Sequence, residues 1–248
     1  VKESISKKRF LIDAIGKLKQ KKTYFSYEDI KILLEEEKIN IAPSSLKSYV
    51  HELTKNGVVF NTGKGWYSSI ENPIELNTKP VKPVIRKIKK EFPLLEFSCW
   101  STEQLNPFTH HLMAKFITFV YVDSDYMRNL SELLKNKGYN VYESPNKTEI
   151  EKQFSITDKT VIIRPAISKQ PKAVLNGSRL EKILIDFLIE NKKLSIMDNR
   201  EAENVVKSAL NAGRINISEL YSYAKRREFG VPKTINQVQI NIKPEIVD

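Results

Sequence analysis

Along residues 6–69 the spacing of apolar side chains keeps a helical period through three segments and then shortens to that of a strand, an order that few small folds accommodate. Phe10, Leu11, Ile15 and Leu18 recur at helical spacing within residues 6–19. The run KQKKTYF ends that segment. Ser26, with Asp29 three residues on, reads as an N-cap and its reciprocal acid, opening a second helix whose buried stripe is Ile30, Leu33 and Leu34. Pro43 suits the first turn of a third helix, Leu46, Val50 and Leu53 give it one apolar face, and Asn56-Gly57 closes it after about three turns. Residues 58–60 and 66–68 then read as short strands around a tip of Asn61, Thr62, Gly63, Lys64 and Gly65. Three helices followed by a basic-tipped hairpin is the order of a winged helix-turn-helix, whose third helix enters the major groove.

Charge is distributed to match. The chain of 248 residues carries a net charge of +11, and residues 1–90 hold 19 Lys and Arg against 10 Asp and Glu, while the remainder holds 22 against 20. A basic N-terminal third joined to a near-neutral remainder points to a polyanion partner, of which nucleic acid is the commonest. With Leu46, Val50 and Leu53 turned inward, Ser44, Ser45, Lys47, Ser48, His51 and Lys55 fall on the flanks and outer face of the third helix, and Tyr49 is placed to pack or to stack. Serine and lysine side chains bond base edges and phosphates, and Lys64 at the hairpin tip is placed to reach backbone. A solvated helix in a winged helix that binds protein is the bland alternative.

Beyond the hairpin the pattern changes. Residues 71–93 contain Pro73, Pro80, Pro83 and Pro93 with the cluster Arg86, Lys87, Lys89 and Lys90, and read as an extended basic linker. Strand and helix signals alternate after it: LLEFSCWS, KFITFVYV, a helix over 124–137 ended by Gly138, YNVYES and TVIIRP. The last third is helical, with RLEKILIDFLIEN presenting Leu180, Ile183, Leu184, Phe187 and Leu188, and further helices expected over 199–212 and 218–227. Arg179, Glu181 and Lys182 are expected to flank that apolar face, with Asp186 pairing to Lys182 one turn back. The tail from Gly230 alternates weakly, as a pairing strand or a frayed end would. The expected class is α+β: a winged helix over 1–70, a linker over 71–93, and a mixed α/β domain with a helical end over 94–248.

Enzymatic readings find little support in the residues. Metal ligands are scarce, being Cys99, His51 and the adjacent His110 and His111, which on a strand would face opposite ways. Asp123 and Asp125 have the spacing of a nucleotidyltransferase pair, yet Gly177-Ser178 follows them instead of preceding them, so capping of the next helix explains them better. Glu36 and Lys38 have the Glu-x-Lys spacing of a nuclease but lie in the head, and Glu143 lacks the lysine. The motifs of nucleophilic hydrolases and of phosphate-binding loops are missing from the sequence. No catalytic residue, metal or cofactor is expected. No stretch approaches the roughly 18 uncharged apolar residues of a membrane span, the N-terminus has no secretory pattern, and the single cysteine fits the cytoplasm.

The order of parts resembles the AbiEi-type antitoxins of bacterial type IV toxin–antitoxin systems, which join an N-terminal winged helix to a C-terminal antitoxin domain. The resemblance lies in NGVVFNTGKGWYSS, with Gly57, Gly65 and Tyr67 in the family's positions, and in SRLEKILIDFLIE, where Arg179 and Asp186 stand as the family's Arg and Asp do. It implies a non-enzymatic autorepressor that binds inverted repeats in double-stranded operator DNA and counters a nucleotidyltransferase toxin. Such antitoxins are generally held to act without a stable toxin complex, and antitoxicity would fall to Arg179 and Asp186. The basic linker and the segment FSCWSTEQLNPFTHHL depart from compact members of that family. The competing functions are a DNA-targeted metal-dependent nuclease and a winged-helix protein-interaction adaptor.

Overall fold

A computed structural model describes residues 2–110 and 112–230. His111 and the tail beyond Gly230 lie outside the described residues. The molecule is a mixed α+β protein with two sheets. It divides into two compact units, residues 1–74 with 210–222, and residues 75–209 with 223–229.

The first unit contains α1 (Lys2–Lys21), β1 (Tyr24–Ser26), α2 (Tyr27–Glu36), α3 (Pro43–Lys55), β2 (Phe60–Asn61) and β3 (Trp66–Ser68). Its antiparallel sheet has the order β1-β3-β2, with Phe25 opposite Tyr67 and Phe60 opposite Ser68. β1 carries no sequence signal, because a strand of three residues is too short to display a period. Its Phe25 is fully buried. The cap of α2 forms as expected: Ser26 Oγ accepts from the Asp29 amide at 3.0 Å, and Asp29 accepts from the Ser26 amide at 2.7 Å. Burial works against the Asp29 charge, but Lys22 and the Ser26 donors outweigh it and hold the carboxyl below its usual value. Leu11, Ile15, Leu18, Ile30, Leu33, Leu34, Leu46, Val50 and Leu53 share one core with Val59. Phe10, expected on the apolar stripe of α1, is 49% exposed.

Residues 210–222 complete this unit from the far end of the sequence. Tyr24 Oη donates to the Gly213 carbonyl at 2.9 Å and accepts from the Ile215 amide at 3.2 Å, and Thr23 Oγ1 lies 3.0 Å from Asn211 Oδ1.

The second unit holds α4 (Lys82–Glu91), β4 (Phe97–Ser101), β5 (Ile117–Val122), α5 (Met127–Asn136), β6 (Asn140–Glu143), α6 (Lys147–Gln153), β7 (Thr160–Pro165) and α7 (Leu180–Leu194). It also takes most of α8 (Asn199–Ala212) and the end of α9 (Ile217–Arg226). The sheet order is β4-β5-β7-β6, with β4 antiparallel to β5 and the other pairs parallel. One face packs Cys99, Val120, Val122, Val161 and Ile163 against Val84 and Ile88 of α4 and Leu130 and Leu134 of α5. Because side chains alternate, Ser98, Tyr121 and Arg164 form a cross-strand row on the opposite face, and Trp100, Phe119, Ile162 and Tyr142 form the next.

The extended linker expected over 71–93 is replaced, in its second half, by a 3-10 turn (Lys79–Val81) running into α4. The prolines misled because Pro80 and Pro83 occupy first-turn positions, where a missing amide hydrogen costs nothing. Val81, Val84 and Ile88 supply the buried stripe. The basic cluster is therefore helical: Lys89 Nζ donates to the Pro93 and Leu95 carbonyls at 3.0 and 2.9 Å, and Lys87 Nζ lies 5.8 Å from the Tyr139 ring. Asp123 caps a 3-10 turn (Ser124–Tyr126) by accepting from the Asp125 amide at 3.0 Å. Among the described residues no helix is long and apolar enough to cross a membrane.

Candidate functional site

The outer face of α3 is the first candidate. Leu46, Val50 and Leu53 anchor one side of the helix in the core. Ser44, Lys47, Ser48, His51 and Lys55 are exposed, Ser45 is half-buried, and Tyr49 packs against the core edge. Glu52, the acidic residue of α3, is paired with Lys8 of α1. That pairing leaves the outer face cationic and rich in hydroxyl groups. Gly57, at φ 70°, takes the left-handed conformation that ends the helix.

The hairpin is braced within its own unit. Arg214 Nη1 donates to the Asn61 carbonyl at 2.8 Å, the Ser218 amide donates to the Thr62 carbonyl at 3.3 Å, and the Trp66 and Tyr221 rings stack at 5.3 Å. Gly63 has φ 115°, and a Cβ built there would lie 2.3 Å from Ser218 Cβ and 2.4 Å from Asn216 Oδ1. Lys64 and Gly65 remain exposed at the tip. No local signal in the sequence pairs residues 60–66 with residues 214–221.

The second unit contains a buried charge network. Lys182, Asp186 and Glu190 follow one another at one-turn spacing along α7 and are fully buried. Lys182 and Asp186 form an ion pair, and the Lys182 ammonium lies 3.3 Å from the Tyr121 ring centroid. Tyr223 Oη donates to Asp186 Oδ1 at 2.7 Å, and Arg227 Nη1 lies 3.6 Å from the same oxygen. Arg164 reaches Glu190 with Nε at 3.1 Å and Nη2 at 2.6 Å, a fork that satisfies both carboxylate oxygens. Burial lowers the Lys182 ammonium from its usual range against the pull of Asp186. Burial and the neighbouring carboxylates raise the Tyr121 phenol, and burial and Asp186 raise that of Tyr223.

This corrects the expectation for the start of α7. Lys182 lies inside the fold and Glu181 is buried, whereas Arg179 is exposed at the N-cap. The expected Lys182–Asp186 pair forms. Arg179 and Asp186 are thus placed in unlike environments, one at the surface and one in the network. Tyr121, Arg164, Glu190, Tyr223 and Arg227 carry no local sequence signal, because their partners meet only where β5, β7 and the end of α9 converge on α7.

A cavity of about 620 Å³ lies where β6 and β7 end, lined by Ser144, Pro145, Ile150, Arg164, Lys192 and Lys193 with Asn146, Glu151 and Ser195. Of the enzymatic candidates, Cys99 is fully buried and its thiol is pushed up by burial, His51 sits on α3 and His110 is exposed. Among the described residues no group of three or more His, Cys, Asp or Glu is placed to hold a metal ion.

A model for a family of unknown function, DUF6577, matches residues 45–241. The chain belongs to the DUF6577 family. The DUF6577 match begins within α3 and takes in the hairpin, the charge network and the cavity, while α1 and α2 precede it. No curated protein matches the chain.

Proposed function

We propose that the first unit is a winged helix-turn-helix that binds operator DNA, and that the protein is a cytoplasmic DNA-binding transcriptional autorepressor. The observation that carries this reading is the outer face of α3, with Ser44, Lys47, Ser48, His51 and Lys55 exposed opposite a stripe that is buried throughout. The element order α1-β1-α2-α3-β2-β3 and the sheet order β1-β3-β2 support it. A helix of 13 residues spans about 20 Å and enters a major groove about 12 Å wide. Lys47, Lys55 and Lys64 neutralise phosphates and set affinity, while Ser44, Ser45, Ser48 and His51 read base edges. The antitoxin role, against a nucleotidyltransferase toxin, rests on the resemblance at Gly57, Gly65, Tyr67, Arg179 and Asp186.

The test is a gel-shift titration of the full chain on the DNA upstream of its own gene, with unrelated duplex as competitor, at two salt concentrations and with Mg²⁺ lanes. A selective shift without cleavage is expected. Cleavage would transfer the reading to a nuclease, and absence of any preference would leave an adaptor. For the antitoxin role, co-expression with a neighbouring nucleotidyltransferase should restore growth. Arg179→Ala is the informative variant, because Arg179 is exposed at the start of α7 and stands outside the buried network.

A further inference from the structure

The cavity at the carboxyl edge of the second sheet is not used by the DNA-binding reading. β5, β7 and β6 run parallel, and in open sheets with parallel strands ligands settle beyond the carboxyl ends. Here those ends are Ser144, just after β6, and Arg164, near the end of β7. At about 620 Å³ the cavity lies within the roughly 300–1,000 Å³ typical of small-molecule sites. Pro145 and Ile150 give it an apolar wall, and Glu151 is the acid among its lining residues.

Its lining sets three cations, Arg164, Lys192 and Lys193, against the one carboxylate of Glu151. Lys192 and Lys193 sit in the last turn of α7, where the helix dipole presents about half a negative charge, less than either lysine carries. Glu190 occupies Nε and Nη2 of Arg164, which leaves Nη1 as a donor on a side chain that is only 8% exposed. Burial, with repulsion from Arg164 and Arg227, depresses the Lys193 ammonium against the pull of Glu190, a penalty that an incoming anion would relieve. Ser144 and Ser195 border the opening at φ 42° and 50°, left-handed conformations that non-glycine residues adopt at some cost.

The geometry points to a binding site for a small phosphate-bearing molecule of mononucleotide size, its phosphate held by Arg164, Lys192 and Lys193 and its body against Pro145 and Ile150. The donor set of guanidinium and ammonium groups matches a phosphate, and the apolar wall accepts a ring. The site lies wholly within the second unit and needs no DNA.

Isothermal titration of the full chain with AMP, pyrophosphate and adenosine at fixed ionic strength tests the assignment. AMP and pyrophosphate should bind, and adenosine, which lacks the phosphate, should not. Lys193→Glu and Lys192→Glu, both at exposed positions, should each weaken AMP binding about tenfold or more, because each replaces a charge-assisted contact with a repelling carboxylate. Lys137→Glu, an equal charge change at an exposed position outside the cavity, should leave it within a factor of about two. The assignment is overturned if AMP does not bind, whether or not pyrophosphate does, if adenosine binds as well as AMP, or if Lys137→Glu weakens binding as much as Lys193→Glu does.

Discussion

Replacing Asp186 with asparagine removes the carboxylate that Lys182, Tyr223 and Arg227 share, while leaving the shape of the core almost unchanged. Asp186 and Lys182 are fully buried, and Arg227 is 10% exposed and 3.6 Å away, so solvent can do little to compensate. Two cations at such distances each lose on the order of 4 kcal/mol of attraction at an effective dielectric near 20, part of which they recover by losing a proton or shifting. Breaking one side of a buried pair costs about 3–5 kcal/mol. The Tyr223 hydroxyl keeps an acceptor in the asparagine carbonyl, so its bond adds little to the loss. We therefore expect Asp186→Asn to destabilise the protein by about 3–5 kcal/mol, a large share of the roughly 5–15 kcal/mol that holds a domain together. The measurement is urea unfolding followed by tryptophan emission. Trp100 lies on the same sheet face as the network and Trp66 lies in the first unit, so a Trp66→Phe background isolates the second unit. The double variant Lys182→Met/Asp186→Asn should cost less than the sum of the singles by about 2 kcal/mol, because it removes the charge that Asp186→Asn strands. A loss below about 1 kcal/mol for Asp186→Asn, or additivity within about 0.5 kcal/mol, would refute the view that these charges stabilise one another.

Gly63→Ala should destabilise the first unit by about 2–4 kcal/mol, since it adds left-handed strain to a clash with Ser218 and Asn216, and Trp66 emission should report it; an unchanged midpoint would mean that the hairpin is not braced. Tyr121 and Tyr223 are raised from 10.0, so the folded state retains their protons where the unfolded chain gives them up. Their contribution is complete below pH 10.0 and is lost as pH rises above it, whereas the depressed Lys182 contributes the opposite slope between its folded value and 10.5. Tyr223→Phe should accordingly flatten the alkaline fall in stability, and an unaltered slope in urea melts across that range would contradict the burial argument. Lys47→Ala and Lys64→Ala should weaken binding to all duplexes alike and reduce the slope of log affinity against log salt by about 0.9 each, whereas changes at Ser44, Ser45 or Ser48 should alter sequence preference; the titration reads both.

Elements whose stabilising interactions are close in sequence were legible without the structure. The Ser26 and Asp29 box, the stripes of α2 and α3, the Asp123 cap and the Lys182–Asp186 pair all join residues within one or two turns, and each appears where spacing placed it. The outer face of α3 followed by subtraction, because a buried stripe on one side of a helix leaves the rest to solvent. The segment 71–93 shows the limit of local signals: proline marks either a linker or the first turn of a helix, and only the burial of Val81, Val84 and Ile88 selects the helix. The charges of α7 mark the same limit, since Lys182 reads as a residue flanking the apolar face, and nothing marks Glu190, until partners from β5, β7 and the segment around the end of α9 make their burial tolerable. By itself the sequence determined the elements with a clear hydrophobic period or cap, their order and the polar face of α3, but not β1, α4 or α6, which lack such a local signal or carry one that proline masks. Only the tertiary structure decided that residues 210–222 brace the hairpin, that α7 carries its charges inward, and that Arg164, Lys192 and Lys193 line one cavity. Contacts between residues far apart in the chain leave no period in a single sequence, because they depend on the packing of whole elements.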